Sequence, residues 1–189
     1  MKSIANLAYR STEIGSSGSG IRVLMANGDP EEHLLLAMAA DHCDVPLHFS
    51  FVNTGPELLL LLGAASSIAD FPDVILLDLD IRGLGAKETL EELQAHPLMC
   101  QIPVVVLANP SELHDEAGCY TRGAAWFEGK PATLSATTDF VKRIAGFARE
   151  GEYTAPDPLI LSLLNADLAA DIEDRTLTGA ASHGIITLP

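Results

Sequence analysis

Two carboxylates and a lysine hold most of the chemistry that this sequence offers. Residues 73–80 read DVILLDLD: four apolar residues run straight into Asp78, and a second acid, Asp80, follows two positions later. Far along the chain Lys130 stands within Glu128-Gly129-Lys130-Pro131, and an earlier apolar run ends in Asn27-Gly28-Asp29-Pro30. A carboxylate at the tip of a rigid strand can attack an electrophile, and an ammonium beside it can neutralise a phosphoryl group that the carboxylate then carries. Taken singly, each has a plainer use: aspartate closes turns and caps helices, and a lysine before a proline serves as a surface charge. The constellation is more informative than any member.

The elements that would position these groups alternate along the chain. Apolar runs (IRVLMA, PLHFSFV, DVILLD, IPVVVLA, AAWFEG) are each followed by a helical pattern (EEHLLLAMAA, PELLLLLGAA, AKETLEELQA, SELHDEAGCYTRG, LSATTDFVKRIAGFARE). Five strand-helix pairs of this length imply right-handed crossovers and a doubly wound parallel sheet with helices on both faces. In LHFSFV, Leu47, Phe49 and Phe51 alternate with His48 and Ser50, as an edge strand does. In the last helix Phe140, Ile144 and Phe147 form one stripe toward the sheet. The carboxyl ends of such strands form the crevice where reactions sit, and Asn27, Asp78 and Lys130 all fall there.

Three domains follow: a flexible arm over 1–20 ending in GSSGSG, a globular domain over 21–150, and an extension over 151–189. The extension opens on the linker EGEYTAPDP, and Asp157-Pro158 then offers a helix cap with proline at the first helical position. The following helix carries Leu161, Leu164, Leu168 and Ile172 on one side. That unpartnered stripe predicts docking on the chain's own surface or a homodimer.

Composition excludes several functions. The 189 residues carry 26 acids against 11 bases, a formal charge of −15, which repels nucleic acid and anionic lipid. The extension contributes six acids and a single arginine. Cys43, Cys100 and Cys119 form no CxxC pair, and the first residues lack a signal peptide's apolar core, so a cytoplasmic protein with reduced thiols is expected. No apolar stretch approaches the roughly 20 residues that span a bilayer. The six histidines have no metal-ligand spacing and read as core or surface residues.

Over about residues 21–149 the chain resembles the receiver domain of two-component response regulators, most closely the single-domain, phytochrome-associated type. The stretches that carry the resemblance are VLMANGDPEEHLLL, DFPDVILLDLDIRG, HPLMCQIPVVVLANPSE and YTRGAAWFEGKP, in order and at the right spacings. The resemblance implies a flavodoxin-like sheet of order 2-1-3-4-5 and a protein that is not an enzyme beyond self-phosphotransfer. It places the phosphoacceptor at Asp78 and the phosphate-contacting lysine at Lys130, with a sensor histidine kinase or another signalling protein as partner. Output is expected through a face that includes Glu116, Tyr120, Arg122, Trp126 and Lys142.

Departures from the pattern stand at the same site. Asn27 and Gly28 occupy the positions of the acidic pair that holds Mg²⁺ in receivers, which depletes the hard-oxygen ligand set. Asp78, the Asp80 backbone and, weakly, Asp29 and Asn27 remain as candidate ligands, so Mg²⁺ binding is expected to be weak. Ala108 replaces the Ser or Thr of the switch, Phe127 replaces the commoner Tyr, and Arg82 stands where a proline is usual. A pseudo-receiver that signals without phosphate is the alternative. A remoter one is a haloacid-dehalogenase-like phosphatase with Asp78 as nucleophile and Asp80 as general acid, but no acidic pair follows Lys130 to complete it.

Overall fold

A computed structural model describes residues 20–65 and 67–150. Five parallel strands are interleaved with helices. They are β1 (Ile21–Ala26), β2 (Leu47–Val52), β3 (Val74–Asp78), β4 (Val104–Ala108) and β5 (Trp126–Gly129). The helices are α1 (Pro30–Ala40), α2 (Gly55–Gly63), α3 (Ala86–Ala95), α4 (Glu116–Tyr120) and α5 (Leu134–Glu150). The sheet order is β2-β1-β3-β4-β5, the doubly wound arrangement expected, with β2 at an edge. The arm and the tail helix read from the sequence lie outside the described residues.

Burial explains the strand sequences. Every residue of β3 and β4 is buried, because helices cover both faces of the sheet, and both strands are accordingly apolar runs without alternation. Successive side chains point to opposite faces, so each strand feeds two cores. Leu24, Ile75, Leu77, Val106 and Phe127 pack on the α2–α4 side. Val23, Met25, Leu76, Val105 and Leu107 pack on the other side against Leu36 of α1 and Phe140 and Ile144 of α5.

The fourth helix is shorter than the helical pattern SELHDEAGCYTRG predicts. Pro110–Asp115 winds as 3-10 helix, opened by an Asn109–Glu112 capping box, and only Glu116–Tyr120 is α-helical. No residue of the 3-10 stretch is buried, and Cys119 is the one buried residue of α4. Tertiary packing supplies most helical stability, and here it is scarce.

Strand register brings the chemistry together. Ala26 of β1 is opposite Leu77 of β3, so the next residues, Asn27 and Asp78, lie side by side at the carboxyl end of the sheet. Ala108 is opposite Gly129, and the Lys130 amide donates to the Ala108 carbonyl at 2.8 Å, which fixes where the lysine leaves β5.

Candidate functional site

Asp78 ends the central strand with 6% of its surface exposed. Its Oδ2 accepts hydrogen bonds from Lys130 Nζ at 2.8 Å and from Asn27 Nδ2 at 2.7 Å. Its Oδ1 accepts one longer bond, 3.2 Å, from the Asp80 backbone N–H. One oxygen is thus held by two donors while the other keeps lone pairs free. A buried carboxylate requires such partners, since an isolated one would be protonated instead.

Glu32, on the first turn of α1, closes the network. Its Oε1 takes a bond from Lys130 Nζ at 3.0 Å and its Oε2 takes one from Asn27 Nδ2 at 2.8 Å. Burial alone would lower the Lys130 ammonium pKa, but the bonds to Asp78 and Glu32 outweigh it and hold the group above its ordinary value.

Asn27 fits its place as an amide. Its two carboxylate neighbours only accept, so the NH₂ must face them. Its Oδ1 meanwhile accepts from the Asp29 N–H. Its backbone N–H donates to the Val52 carbonyl at 2.9 Å, and its own carbonyl accepts from His33 Nε2 at 2.7 Å. The His33 ring is stacked on Phe51 with centroids 4.2 Å apart. Asn27 is 1% exposed with every polar group used. A carboxylate at this position would face two others.

Sequence reading missed Glu32 and His33. Both follow Asp29-Pro30, and a helix starting there places its first turn over the strand end. That start is capped by Asp29, whose Oδ1 accepts from the Glu31 N–H at 2.8 Å. Arg82 occupies a further unforeseen place: a Cβ built on Gly28 would lie 2.8 Å from its Nη2, so the guanidinium rests against the bare glycine. The two departures at 28 and 82 are a single contact.

A divalent cation takes hard oxygen ligands. Here Asn27 turns its nitrogen inward, Gly28 has no side chain, the Asp29 carboxylate caps α1, and an ammonium already holds Asp78 Oδ2. Among the described residues no group of three or more His, Cys, Asp or Glu side chains gathers to hold a metal ion. This donor set does not fit a tightly held Mg²⁺.

The two positions that the resemblance assigns to a switch are both buried: Ala108 fully, and Phe127 within the α2–α4 core. The Phe127 N–H donates to the Tyr120 hydroxyl at 3.2 Å. Burial raises the Tyr120 phenol pKa, with that N–H opposing and Glu116 adding to the rise. The five residues assigned to an output face divide. Glu116, Tyr120 and Arg122 cluster about α4, where Arg122 Nε meets Glu91 of α3 at 2.7 Å. Trp126 instead packs against α5, with Phe147 at 5.9 Å and the Arg143 guanidinium 5.8 Å above its ring. Lys142 of α5 faces Cys43 beyond the end of α1, where it opposes the rise that burial gives the thiol.

No family model matches the chain, and no curated protein matches it. Solved structures do. The phosphorylated cyanobacterial phytochrome response regulator RcpA is 27% identical with a TM-score of 0.62, covering 73% of this chain and 99% of its own. The Mn²⁺-bound response regulator Rcp1 is 22% identical with a TM-score of 0.59, covering 72% of this chain and 99% of its own. The receiver domain of a sensor histidine kinase from Pseudomonas aeruginosa, with magnesium coordinated in its active-site cleft, is 16% identical with a TM-score of 0.53. It covers 67% of this chain and 98% of its own. Among the described residues no helix is long and apolar enough to cross a membrane.

Proposed function

We propose that this chain, which carries a response-regulator receiver domain, works as an atypical regulator in two-component signalling with Asp78 as its phosphoacceptor. The observation that carries the reading is the asymmetry of the Asp78 carboxylate: Lys130 and Asn27 pin Oδ2, and Oδ1 is left with one 3.2 Å bond. In the reaction Oδ1 attacks phosphorus, the new P–O bond forms as the bond to the donor breaks, and the donor leaves with the electron pair. With zwitterionic phosphoramidate the leaving group is ammonia. Lys130 stays within reach of the phosphoryl group, whose charge of about two units replaces the single charge of the carboxylate.

The partner is a histidine kinase or another signalling protein, and output is protein binding through the surface about α4. Glu116 and Tyr120 are the residues that read the site there, because the Tyr120 hydroxyl receives the N–H of Phe127, three residues before Lys130. Mg²⁺ binding is weak. Incubation with phosphoramidate, followed by intact-mass measurement of the parent and of Asp78→Asn, tests the reading. A gain of one phosphoryl group that Asp78→Asn abolishes is expected.

One observation favours a second reading, a pseudo-receiver binding module. The Asp78–Asn27–Glu32–Lys130 network is closed and satisfied without phosphate, and Ala108 offers no hydroxyl to a phosphoryl group. Absence of labelling would select it.

A further inference from the structure

We infer that Arg82 stands in for the divalent cation: its guanidinium supplies the charge and the N–H donors for the phosphoryl group on Asp78, so the site is phosphorylated without metal. The inference rests on Asp78 being the phosphoacceptor.

Three observations meet here. The Arg82 guanidinium lies against Gly28, in space that any side chain at 28 would contest, with Nη2 2.8 Å from where a Cβ would stand. Gly28 adjoins Asn27, whose Nδ2 is 2.7 Å from Asp78 Oδ2, so this positive charge borders the carboxylate's own hydrogen-bond network. Arg82 is exposed, and among the described residues its guanidinium has no hydrogen bond or ion pair, whereas Arg22, Arg122 and Arg143 are each bound to an acid. It is fixed at the base by its backbone, its carbonyl accepting from the Gly55 N–H at 3.2 Å. Among the described residues its five donors are free.

Charge supports the assignment. Asp78 and Glu32 against Lys130 leave the network one negative charge in excess, and phosphorylation replaces the single charge of Asp78 with about two on the phosphoryl group, so the excess rises to about two. A planar guanidinium binds phosphoryl oxygens in pairs and does not require the oxygen ligands that Asn27 and Gly28 fail to provide. Positioned cations act on transferring phosphoryl groups much as metals do.

The test is phosphoramidate labelling of the full chain in EDTA and in Mg²⁺, for the parent, Arg82→Gln and the charge-matched control Arg149→Gln. In parallel, inorganic phosphate is titrated into each protein by calorimetry in EDTA. Expected are parent labelling that EDTA leaves unchanged, a loss of about tenfold or more in Arg82→Gln, and parent-like behaviour of Arg149→Gln. Labelling that EDTA abolishes, or that proceeds equally fast in Arg82→Gln, overturns the role of Arg82 while Asp78 stands. If the parent is not labelled under either condition, the reading of Asp78 falls, and the titration decides alone. Phosphate binding weakened only in Arg82→Gln retains the guanidinium as an anion site, and equal binding in all three removes it.

Discussion

The site has two halves that differ in kind. The β3–β5 half sets Asp78 against Lys130 at 2.8 Å, the carboxylate–ammonium pair that phosphoryl chemistry uses. The β1–α1 half presents Asn27, Gly28 and Glu32, in which an amide bridges two carboxylates and a bare glycine receives a guanidinium. The first half holds the proposed nucleophile. The second sets what can balance its charge, and it has been fitted to hydrogen bonds rather than to metal ligation. A chain that had merely lost its acids would leave polar groups unpaired, yet Asn27 is satisfied at every atom.

Among the described residues Lys130 is the one cation that binds both acids, so its removal has the largest expected effect. Lys130→Ala leaves Asp78 and Glu32 without their cation in a mostly buried site, which costs about 3 kcal/mol in urea unfolding. A loss under 1 kcal/mol, on the order of an exposed pair, would show the halves to be independent.

High pH breaks the same link without mutation. The Lys130 pKa is raised in the folded state, so its contribution is complete below the ordinary lysine pKa and is lost as pH climbs through the folded value. Cys119 overlaps this window. Burial raises its thiol to about 11 from 9.0, so the unfolded chain ionises first and up to about 3 kcal/mol is lost between those values. Cys119→Ala should therefore flatten the fall in stability from pH 9 to 11, and the loss that remains is shared by Lys130, Tyr120 and Cys43, whose folded values are also raised. Unfolding midpoints measured across pH in both proteins check this.

Asn27→Asp with Gly28→Asp sharpens the comparison by rebuilding the metal half. Without metal the new carboxylate at 27 faces Asp78 and Glu32, and stability should fall by roughly 2 kcal/mol. Added Mg²⁺ should restore it in the variant and leave the parent melting temperature unchanged. The new side chain at 28 must displace the end of Arg82, which is flexible, so adding Arg82→Ala should strengthen the response to Mg²⁺ further. Equal Mg²⁺ responses in parent and variant would mean that the first half alone binds the ion.

Glu32→Gln carries the smallest effect, about 1 kcal/mol, because Glu32 is part-exposed and Lys130 keeps Asp78. Labelling at Asp78 should be retained, since only the competing anion is removed. Loss of labelling in this variant would place Glu32 among the groups the reaction needs.

How legible each half was in the sequence follows from how local its signals are. The apolar runs and the helical stripe in α5 declare themselves within ten or twenty residues, and Asp78 and Lys130 are strand-end residues at fixed places in a recognisable order. The fourth helix was overestimated because a polar helical pattern says little when nothing in its first half is buried. Asp29 was read as a weak metal ligand although Asp-Pro is itself a cap signal, and its carboxylate serves as that cap. Glu32 meets Lys130 across 98 residues, and the Gly28–Arg82 contact spans more than fifty. Such contacts depend on where α1 lands over the strand ends, and no periodicity encodes that. The output residues divided because Trp126 and Phe127, adjacent in β5, point to opposite faces of the sheet.

The central claim is that Asp78 accepts a phosphoryl group at a site built on hydrogen bonds and fixed cations. Its most direct test is the intact mass of the full chain after phosphoramidate treatment in EDTA, with Asp78→Asn alongside. The account predicts one added phosphoryl group in the parent and none in the variant. An unmodified parent, or equal modification of Asp78→Asn, would contradict it.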